Sequence, residues 1–233
     1  MSHTETFSNW ENLVKKQLKT DDIYSILKKE NLEEIDVKPF YNEVQKPLVN
    51  LPKVEESTHL VATYHETLEE DVFAFLLNEN VENLVEKTIF INNKDLAEHI
   101  SPADEDQYFS LIDVFDESNA VVDDQLVKEL LAKNFKRNIC IDVALHQNAG
   151  ASIVQQLGTA LAKAKELAEL YGVEILNKIV FRLAVGGNYF FEIAKIRAFK
   201  LVFNQLSKEY GLDDIPYIFT ETSLRNLQII RGG

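Results

Sequence analysis

The sequence predicts an α/β fold, a parallel (β/α) repeat of the TIM-barrel type that is preceded by a helical extension. Short apolar segments alternate with long helical ones over residues 138–223, a pattern typical of parallel βαβ units. The long helical segments have wide apolar stripes, which suit the outer ring of a barrel. The chain has no GxGxxG or GxxxxGK[ST] motif, so no nucleotide-binding fingerprint supports the alternative, a doubly wound sheet.

The first 52 residues are predicted to form an arm. Apolar residues recur at helical spacing at Trp10, Leu13, Val14 and Leu18. Thr20 and Asp21 offer an N-cap for a second short helix. Residues 35–41 are expected to be extended, because the residue before a proline avoids the helical region. We therefore predict an arm over 1–52 and a barrel domain over 53–233.

The middle of the chain has weaker signals. Three strands are predicted at His59–His65, Thr88–Asn92 and Ser110–Phe115, and three helical segments at Leu68–Val85, Asp95–His99 and Asp123–Phe135. The helix over 68–85 rests on the spacing of Val72, Phe75 and Leu76. His59 and His65 do not suggest a metal site, because one straight strand would hold them about 20 Å apart.

The clearest signals for where helices and strands begin and end lie after residue 137. Strands are predicted at Asn138–Leu145, Ile179–Val185 and Ile215–Thr222. Ser152 and Gln155 form a capping box for a helix that ends at Gly172. Asn188 is expected to cap the next helix, which stops at Gly211. The inward face of that helix is predicted to carry Phe190, Ala194, Ala198 and Leu201. Cys140, the only cysteine, is predicted to be a buried thiol.

Length limits the barrel. A complete TIM barrel needs about 250 residues, and about 180 remain after the arm. That length accommodates roughly five or six βα units, so we expect an incomplete barrel that stops before closure.

Charge and hydropathy exclude several functional classes. The net charge is −14, and residues 1–138 carry 14 basic against 29 acidic side chains, while residues 139–233 carry 10 against 9. The acidic part argues against nucleic-acid binding, which needs basic patches. No run approaches the ~18 apolar residues of a membrane span, and the N-terminus has no signal-peptide pattern. We therefore expect a cytoplasmic protein without a membrane partner.

Residues 138–223 resemble the acyl-CoA-binding barrel of methylmalonyl-CoA mutases. The family pattern H-x-x-x-A-G is approached at His146, Ala149 and Gly150, although two residues instead of three separate the histidine from the alanine here. A second pattern, N-F-F-x-E-x-A-K-x-R-A, is matched at Asn188, Phe190, Glu192, Ala194, Lys195, Arg197 and Ala198. Arg182–Leu183 and Thr222–Ser223 match the family around these blocks, and the opening arm is also similar.

The resemblance implies an isomerase family that acts on CoA esters with adenosylcobalamin. It makes His146, Arg182 and Asn188 candidate substrate-binding residues, with His146 on the thioester carbonyl and Arg182 on a CoA phosphate. The residues themselves leave alternatives open. His146 and Asn188 also suit local helix capping, and Arg182 also suits an ion pair with Glu221. Lys195 and Arg197 are expected to form salt bridges on the outside of the domain.

The departures from the family pattern concern the last strand. Tyr217, Phe219 and Glu221 stand where the family has Arg, His and Gln, and a phenyl ring donates no hydrogen bond. The cobalamin-binding motif D-x-H-x-x-G is absent. The chain thus resembles the small, non-catalytic subunit of a heterodimeric mutase, inactive alone, with a large catalytic subunit as partner and holder of the cofactor. An acyl-CoA-binding module and a protein-interaction module are the alternatives.

Overall fold

A computed structural model describes residues 3–39, 58–65, 72–79, 81, 87–101, 105–116 and 121–225. The chain divides into two compact units, residues 1–50 and 51–233. Each unit is described by itself below.

Within residues 3–39, the first unit contains two helices, α1 (His3–Leu18) and α2 (Ile23–Leu27). The predicted first helix is confirmed. The cap of α2 is Asp22, whose carboxylate accepts from the Ser25 backbone N–H at 3.2 Å, so the prediction of Thr20 or Asp21 was wrong by one or two residues.

Among its described residues, the second unit contains seven strands. They are β1 (Val61–Thr63), β2 (Ala74–Leu77), β3 (Thr88–Ile91), β4 (Tyr108–Ser110), β5 (Ile139–Asp142), β6 (Ile179–Val185) and β7 (Tyr217–Thr222). Strands β1–β4 form one parallel sheet and β5–β7 another, each in chain order. Parallel bridges from Phe109 to Arg137 and from Asp113 to Cys140 connect the two sheets.

Five helices accompany these strands. They are α3 (Lys94–His99), α4 (Asp124–Leu131), α5 (Ala144–Asn148), α6 (Ile153–Tyr171) and α7 (Tyr189–Glu209), with 3-10 turns at Glu105–Gln107 and Val173–Lys178. Mixed α/β architecture with parallel sheets is therefore confirmed. The capping box of α6 is present, and its C-cap is Gly172 at φ 92°, a conformation that glycine adopts without steric cost.

Apolar side chains pack in two clusters on opposite faces of the strands. The outer cluster lies between the strands and α4, α6 and α7, and includes Phe181, Phe199 and Phe203. The inner cluster collects side chains associated with all seven strands: Val61, Ala74, Leu76, Phe90, Phe109, Leu111, Cys140, Val180, Tyr217 and Phe219. Cys140 is fully buried there, as predicted.

The inner cluster shows that the strands do not lie in a flat array. The rings of Phe90 on β3 and Phe219 on β7 have centroids 5.1 Å apart. In a flat sheet, four spacings of about 4.8 Å would separate these strands by about 19 Å. The array of parallel strands therefore curves around its inner face.

Three sequence predictions need correction in this unit. Residues 74–77 form β2 and not part of a helix, and the remainder of the predicted helix lies mostly outside the described residues. Strand β4 covers Tyr108–Ser110 and shares only Ser110 with the predicted strand Ser110–Phe115, and β5 ends at Asp142 instead of Leu145. The remaining short strands and α3 occur where the sequence predicts them, within about two residues.

The buried face of α7 also differs from the prediction. Phe190 is 78% exposed, whereas Lys195, Phe199 and Phe203 are almost completely buried. Of the other residues of the predicted face, Ala194 and Ala198 are exposed and Leu201 is half-buried. Because the buried face of α7 includes Lys195, it differs from the face that hydrophobicity alone predicts.

Candidate functional site

Charged side chains gather on the inner face near the carboxyl ends of β5 and β7 and at the middle of β6. Asp142 lies two residues after Cys140, and Arg182 two residues after Val180, so both point to the same face as the inner cluster. Glu221 lies two residues after Phe219 on β7. The three side chains form a continuous ion-pair group above the apolar layer.

Arg182 is engaged on both sides. Its Nε and Nη2 atoms donate to Glu221 Oε2 at 3.0 and 2.5 Å, and Nη1 lies 3.3 Å from Asp142 Oδ2. Ala184, not Arg182, lies directly opposite Glu221 in the register, so the glutamate reaches diagonally across the strands. The sequence left two alternatives for Arg182, a contact with a CoA phosphate and an ion pair with Glu221. The structure contains the ion pair.

The electrostatics of this group follow from partial burial. Burial raises the pKa of Asp142, although the charge of Arg182 and the hydrogen bond from the Ala144 N–H lower it. Burial alone would lower the pKa of Arg182, but the hydrogen bond to Glu221 and the charges of Asp142 and Glu221 outweigh it, and that pKa is raised. The raised pKa of Arg182 favours a guanidinium that keeps its charge, whereas the raised pKa of Asp142 favours the neutral form of that carboxyl group.

Asp113 extends the group toward β4. Its Oδ2 accepts from the Asp142 backbone N–H at 3.2 Å and lies 3.5 Å from Lys163 Nζ. Burial raises its pKa, against the lowering effect of Lys163. The group therefore contains three carboxylates, at Asp113, Asp142 and Glu221, and two cations.

A second polar group is buried beside the first, around Lys195. Its Nζ donates to Gln147 Oε1 at 2.9 Å and to the Ala184 carbonyl at 2.6 Å, and it is ion-paired with Glu192. The Lys195 side chain is completely buried. The expectation of a salt bridge on the outside of the domain was wrong for Lys195, whereas Arg197 is exposed.

Gly186 belongs to this second group because its lack of a side chain leaves space for the ends of Glu192 and Gln147. A Cβ atom there would lie 2.8 Å from Glu192 Oε1 and 3.1 Å from Gln147 Nε2. A side chain at this position would therefore require the ends of the Glu192 and Gln147 side chains to shift. Gly186, Gln147, Glu192 and Lys195 form what we call the lysine cluster.

The short helix α5 carries His146 beside both groups. Its neighbour Gln147 joins the lysine cluster, while Asn148 Oδ1 accepts from Ser223 Oγ at 3.1 Å and from the Leu224 N–H at 3.0 Å. The structure places His146 four residues after the end of β5, on a helix and partly exposed. The sequence prediction put it immediately after the strand.

Asn188 caps α7, as the sequence predicts. Its Oδ1 accepts from the Phe191 backbone N–H at 3.4 Å, and the residue is exposed. Nothing in the described structure brings Asn188 into contact with the ion pairs of Arg182.

The three departures on β7 face the interior. Tyr217 stacks with Phe109 at 5.0 Å, and the guanidinium of Arg137 lies 4.9 Å from its ring. Phe219 packs on Phe90, and Glu221 pairs with Arg182. Aromatic rings and an ion pair therefore occupy the inner face that these positions share.

Sequence reasoning missed Gln147, Gly186 and the burial of Glu192 and Lys195. The available signal was a glutamate and a lysine three residues apart on a helix that begins beside a Gly-Gly pair. Among the described residues, no group of three His, Cys, Asp or Glu side chains is arranged to hold a metal ion. No helix within the described ranges is long and apolar enough to cross a membrane.

Most residues of the ion-pair group and all of the lysine cluster lie in a segment that matches a known protein family. Residues 128–224 match the family model described as methylmalonyl-CoA mutase, and this segment contains β5, β6, β7, the lysine cluster and every member of the ion-pair group except Asp113. The second half of the chain is therefore similar to methylmalonyl-CoA mutase.

The similarity extends to a particular subunit. Over 70 residues the chain is 43% identical to a methylmalonyl-CoA mutase small subunit from Porphyromonas gingivalis (strain ATCC BAA-308 / W83). The aligned segment covers 28% of this chain and 11% of that protein. The protein is thus mutase small-subunit-like over a segment that is a small part of the relative's length.

Proposed function

We propose that the chain is a non-catalytic component of an adenosylcobalamin-dependent methylmalonyl-CoA mutase, acting as a structural partner of a large catalytic subunit. The observation that carries the proposal is the occupied inner face of β7. Tyr217 and Phe219 pack on other aromatic rings, and Glu221 neutralises Arg182. The positions that the resemblance assigns to substrate and cofactor contacts therefore perform internal packing.

The fold supports a more specific architectural proposal. Seven parallel strands in chain order, with one inner cluster, are what part of a (β/α) barrel requires. We propose a barrel-type domain over residues 53–233 and an arm over 1–52. The contact between Phe90 and Phe219 supports the curvature of such a barrel.

The cofactor fits this chain poorly at the described site. Phe219 offers no hydrogen bond to a corrin, and Asp142 is already engaged by Arg182 and by the Ala144 N–H. We propose that adenosylcobalamin, which supplies the radical chemistry of such isomerases, is held by the large subunit. The cytoplasm is the proposed location.

One observation favours a second candidate function, binding of a CoA ester without chemistry. His146 is partly exposed on α5, at the carboxyl end of the strands, where ligands of parallel α/β folds bind. In this alternative His146 donates a hydrogen bond to the thioester carbonyl, and Arg182 would have to exchange one of its carboxylates for a phosphate.

Reconstitution tests the proposed function. The purified chain with adenosylcobalamin and methylmalonyl-CoA should show no turnover and should retain no corrin absorbance after gel filtration. With a methylmalonyl-CoA mutase large subunit from the same source, it should co-elute at the mass of a heterodimer. Turnover by the chain alone, or separate elution of the two proteins, would contradict the proposal.

Calorimetry with a CoA thioester separates the second candidate. Saturable heat that disappears in His146→Ala and Arg182→Ala supports CoA-ester binding. The absence of heat up to millimolar ligand rejects it and leaves the structural role in place.

A further inference from the structure

Arg182 has the chemistry of an anion-binding group. A guanidinium presents five N–H donors in a planar fork that matches carboxylates and phosphates. Arg182 lies in the middle of β6, opposite Asp142 at the carboxyl end of β5, and its side chain keeps 22% exposure. Solvent therefore reaches the guanidinium at the edge of the sheet where ligands of parallel α/β folds bind.

The two carboxylates that hold Arg182 are not equivalent. Asp142 is 9% exposed, and its second oxygen accepts from the Ala144 N–H at 2.9 Å, so main chain fixes it. Glu221 is 29% exposed, and Arg182 is the hydrogen-bond partner that the described structure gives its side chain. Glu221 is thus the carboxylate that can leave without breaking other contacts.

The position of Glu221 resembles that of a bound ligand. One oxygen accepts from both Nε and Nη2 of the guanidinium, as an external oxyanion would. Its neighbour in the register is the methyl group of Ala184, which competes for no hydrogen bond. Strand β7 thereby places the Glu221 carboxylate where an external anion would bind Arg182.

The charge balance of the group disfavours the binding of an external anion. The group formed by Asp113, Asp142, Glu221, Lys163 and Arg182 has three acids and two bases. A further anion would add to an existing negative excess at low dielectric. Without the charge of Glu221 the acids and bases are equal in number, and one anion restores the present balance.

We propose that Arg182 is an oxyanion-binding site whose ligand position is occupied by Glu221, so that the native chain is closed to small carboxylate and phosphate anions. The inference goes beyond the proposed structural role and stands independently of any mutase partner. It identifies Glu221 as an internal ligand and predicts that its removal uncovers a site.

A graded pair of substitutions tests this inference with inorganic phosphate as the probe. Glu221→Gln removes the charge but keeps an acceptor oxygen, and Glu221→Ala removes both. The Nε–Hε resonance of Arg182 is followed by NMR during phosphate titration at constant ionic strength, because salt screens exposed charges. Phosphate should bind Glu221→Ala on the order of tenfold or more tightly than native protein, with Glu221→Gln between them.

Two controls isolate the cause. Glu169→Gln removes one charge from an exposed i,i+4 pair with Lys165 and should behave like native protein. Glu221→Ala combined with Arg182→Gln should lose the saturable response. Far-UV circular dichroism checks that each variant is folded, and Glu221→Gln, which preserves side-chain shape, provides the test if Glu221→Ala does not fold.

Three results would overturn the inference. Native protein could bind phosphate as tightly as both Glu221 variants, which would mean that Glu221 occupies nothing. Folded Glu221 variants could show no saturable shift, which would make Arg182 a structural tie only. Binding could persist without Arg182, which would place the anion elsewhere. None of these results depends on whether the chain associates with a mutase subunit.

Discussion

At the residue scale, Lys195 places an ammonium group against a carboxylate, an amide oxygen and a main-chain carbonyl. These acceptors come from α7, α5 and β6 respectively. A buried ion pair contributes little net stability when intact, because desolvation offsets the attraction. Removal of only one of the two partners is different, because the charge of the other partner is then buried without an opposite charge.

Lys195→Met should therefore destabilise the protein by about 3–5 kcal/mol, because Glu192 would be left as an unpaired buried carboxylate. Urea unfolding followed by circular dichroism measures the change. Arg197→Met on the exposed side of the same helix should change stability by less than about 0.5 kcal/mol. Adding Glu192→Gln to Lys195→Met should restore part of the loss, and equal losses for the single and double variants would contradict this account.

The constraint on Gly186 is steric and not electrostatic, because a side chain there would meet Glu192 and Gln147. Gly186→Ala should cost about 1–3 kcal/mol, because the new methyl group would press on Glu192 and Gln147 in a packed, buried site. Gly158→Ala is a matched control: it lies in α6, is exposed and has nothing within 4 Å of its added Cβ. That control should stabilise the protein by about 0.5–1 kcal/mol. Equal shifts in thermal midpoint for both variants would exclude a steric role of Gly186.

At the element scale, the start of α7 separates a helix cap from a ligand contact. Asn188→Ala should cost about 1 kcal/mol, because the Phe191 N–H loses its acceptor, and Asn188→Ser should keep most of the stability. Thermal unfolding measures both. If the two variants are equally destabilised, or if both are unchanged, the capping role of Asn188 is incorrect.

How far the sequence predicts each element depends on how local its signals are. The capping box at Ser152, the stop at Gly172 and the cap at Asn188 act within one helical turn, and all three were predictable. Strand β2 was not, because Phe75 and Leu76 also fit a helical spacing, and pairing with β1 and β3 selects the strand. Tertiary contacts override weak local preferences.

The candidate site divides in the same way. A charge inside an apolar strand requires a partner, and the sequence offered two for Arg182, a CoA phosphate and Glu221, without deciding between them. The buried face of α7 did not follow, because hydrophobicity assigned Lys195 to solvent. Its actual burial depends on acceptors from α5 and β6, which are distant in sequence and cannot be read from the helix itself.

At the scale of the whole second unit, the inner cluster couples strands that are not neighbours. Phe90 on β3 contacts both Phe109 on β4 and Phe219 on β7. The contact with Phe219 exists only if the array of parallel strands curves. The energetic coupling between these two rings is therefore a measure of the curvature that a barrel-type domain requires.

A double-mutant cycle between Phe90→Leu and Phe219→Leu tests this coupling. Aromatic pairs in contact contribute about 0.5–1.5 kcal/mol beyond their buried area, so the two losses in unfolding free energy should differ from additivity by that amount. A second cycle between Phe90→Leu and Phe199→Leu is the control, because Phe199 packs in the outer cluster, and distant sites are additive within about 0.5 kcal/mol. Additivity in both cycles would mean that β3 and β7 do not meet in solution and would remove the support for a curved array.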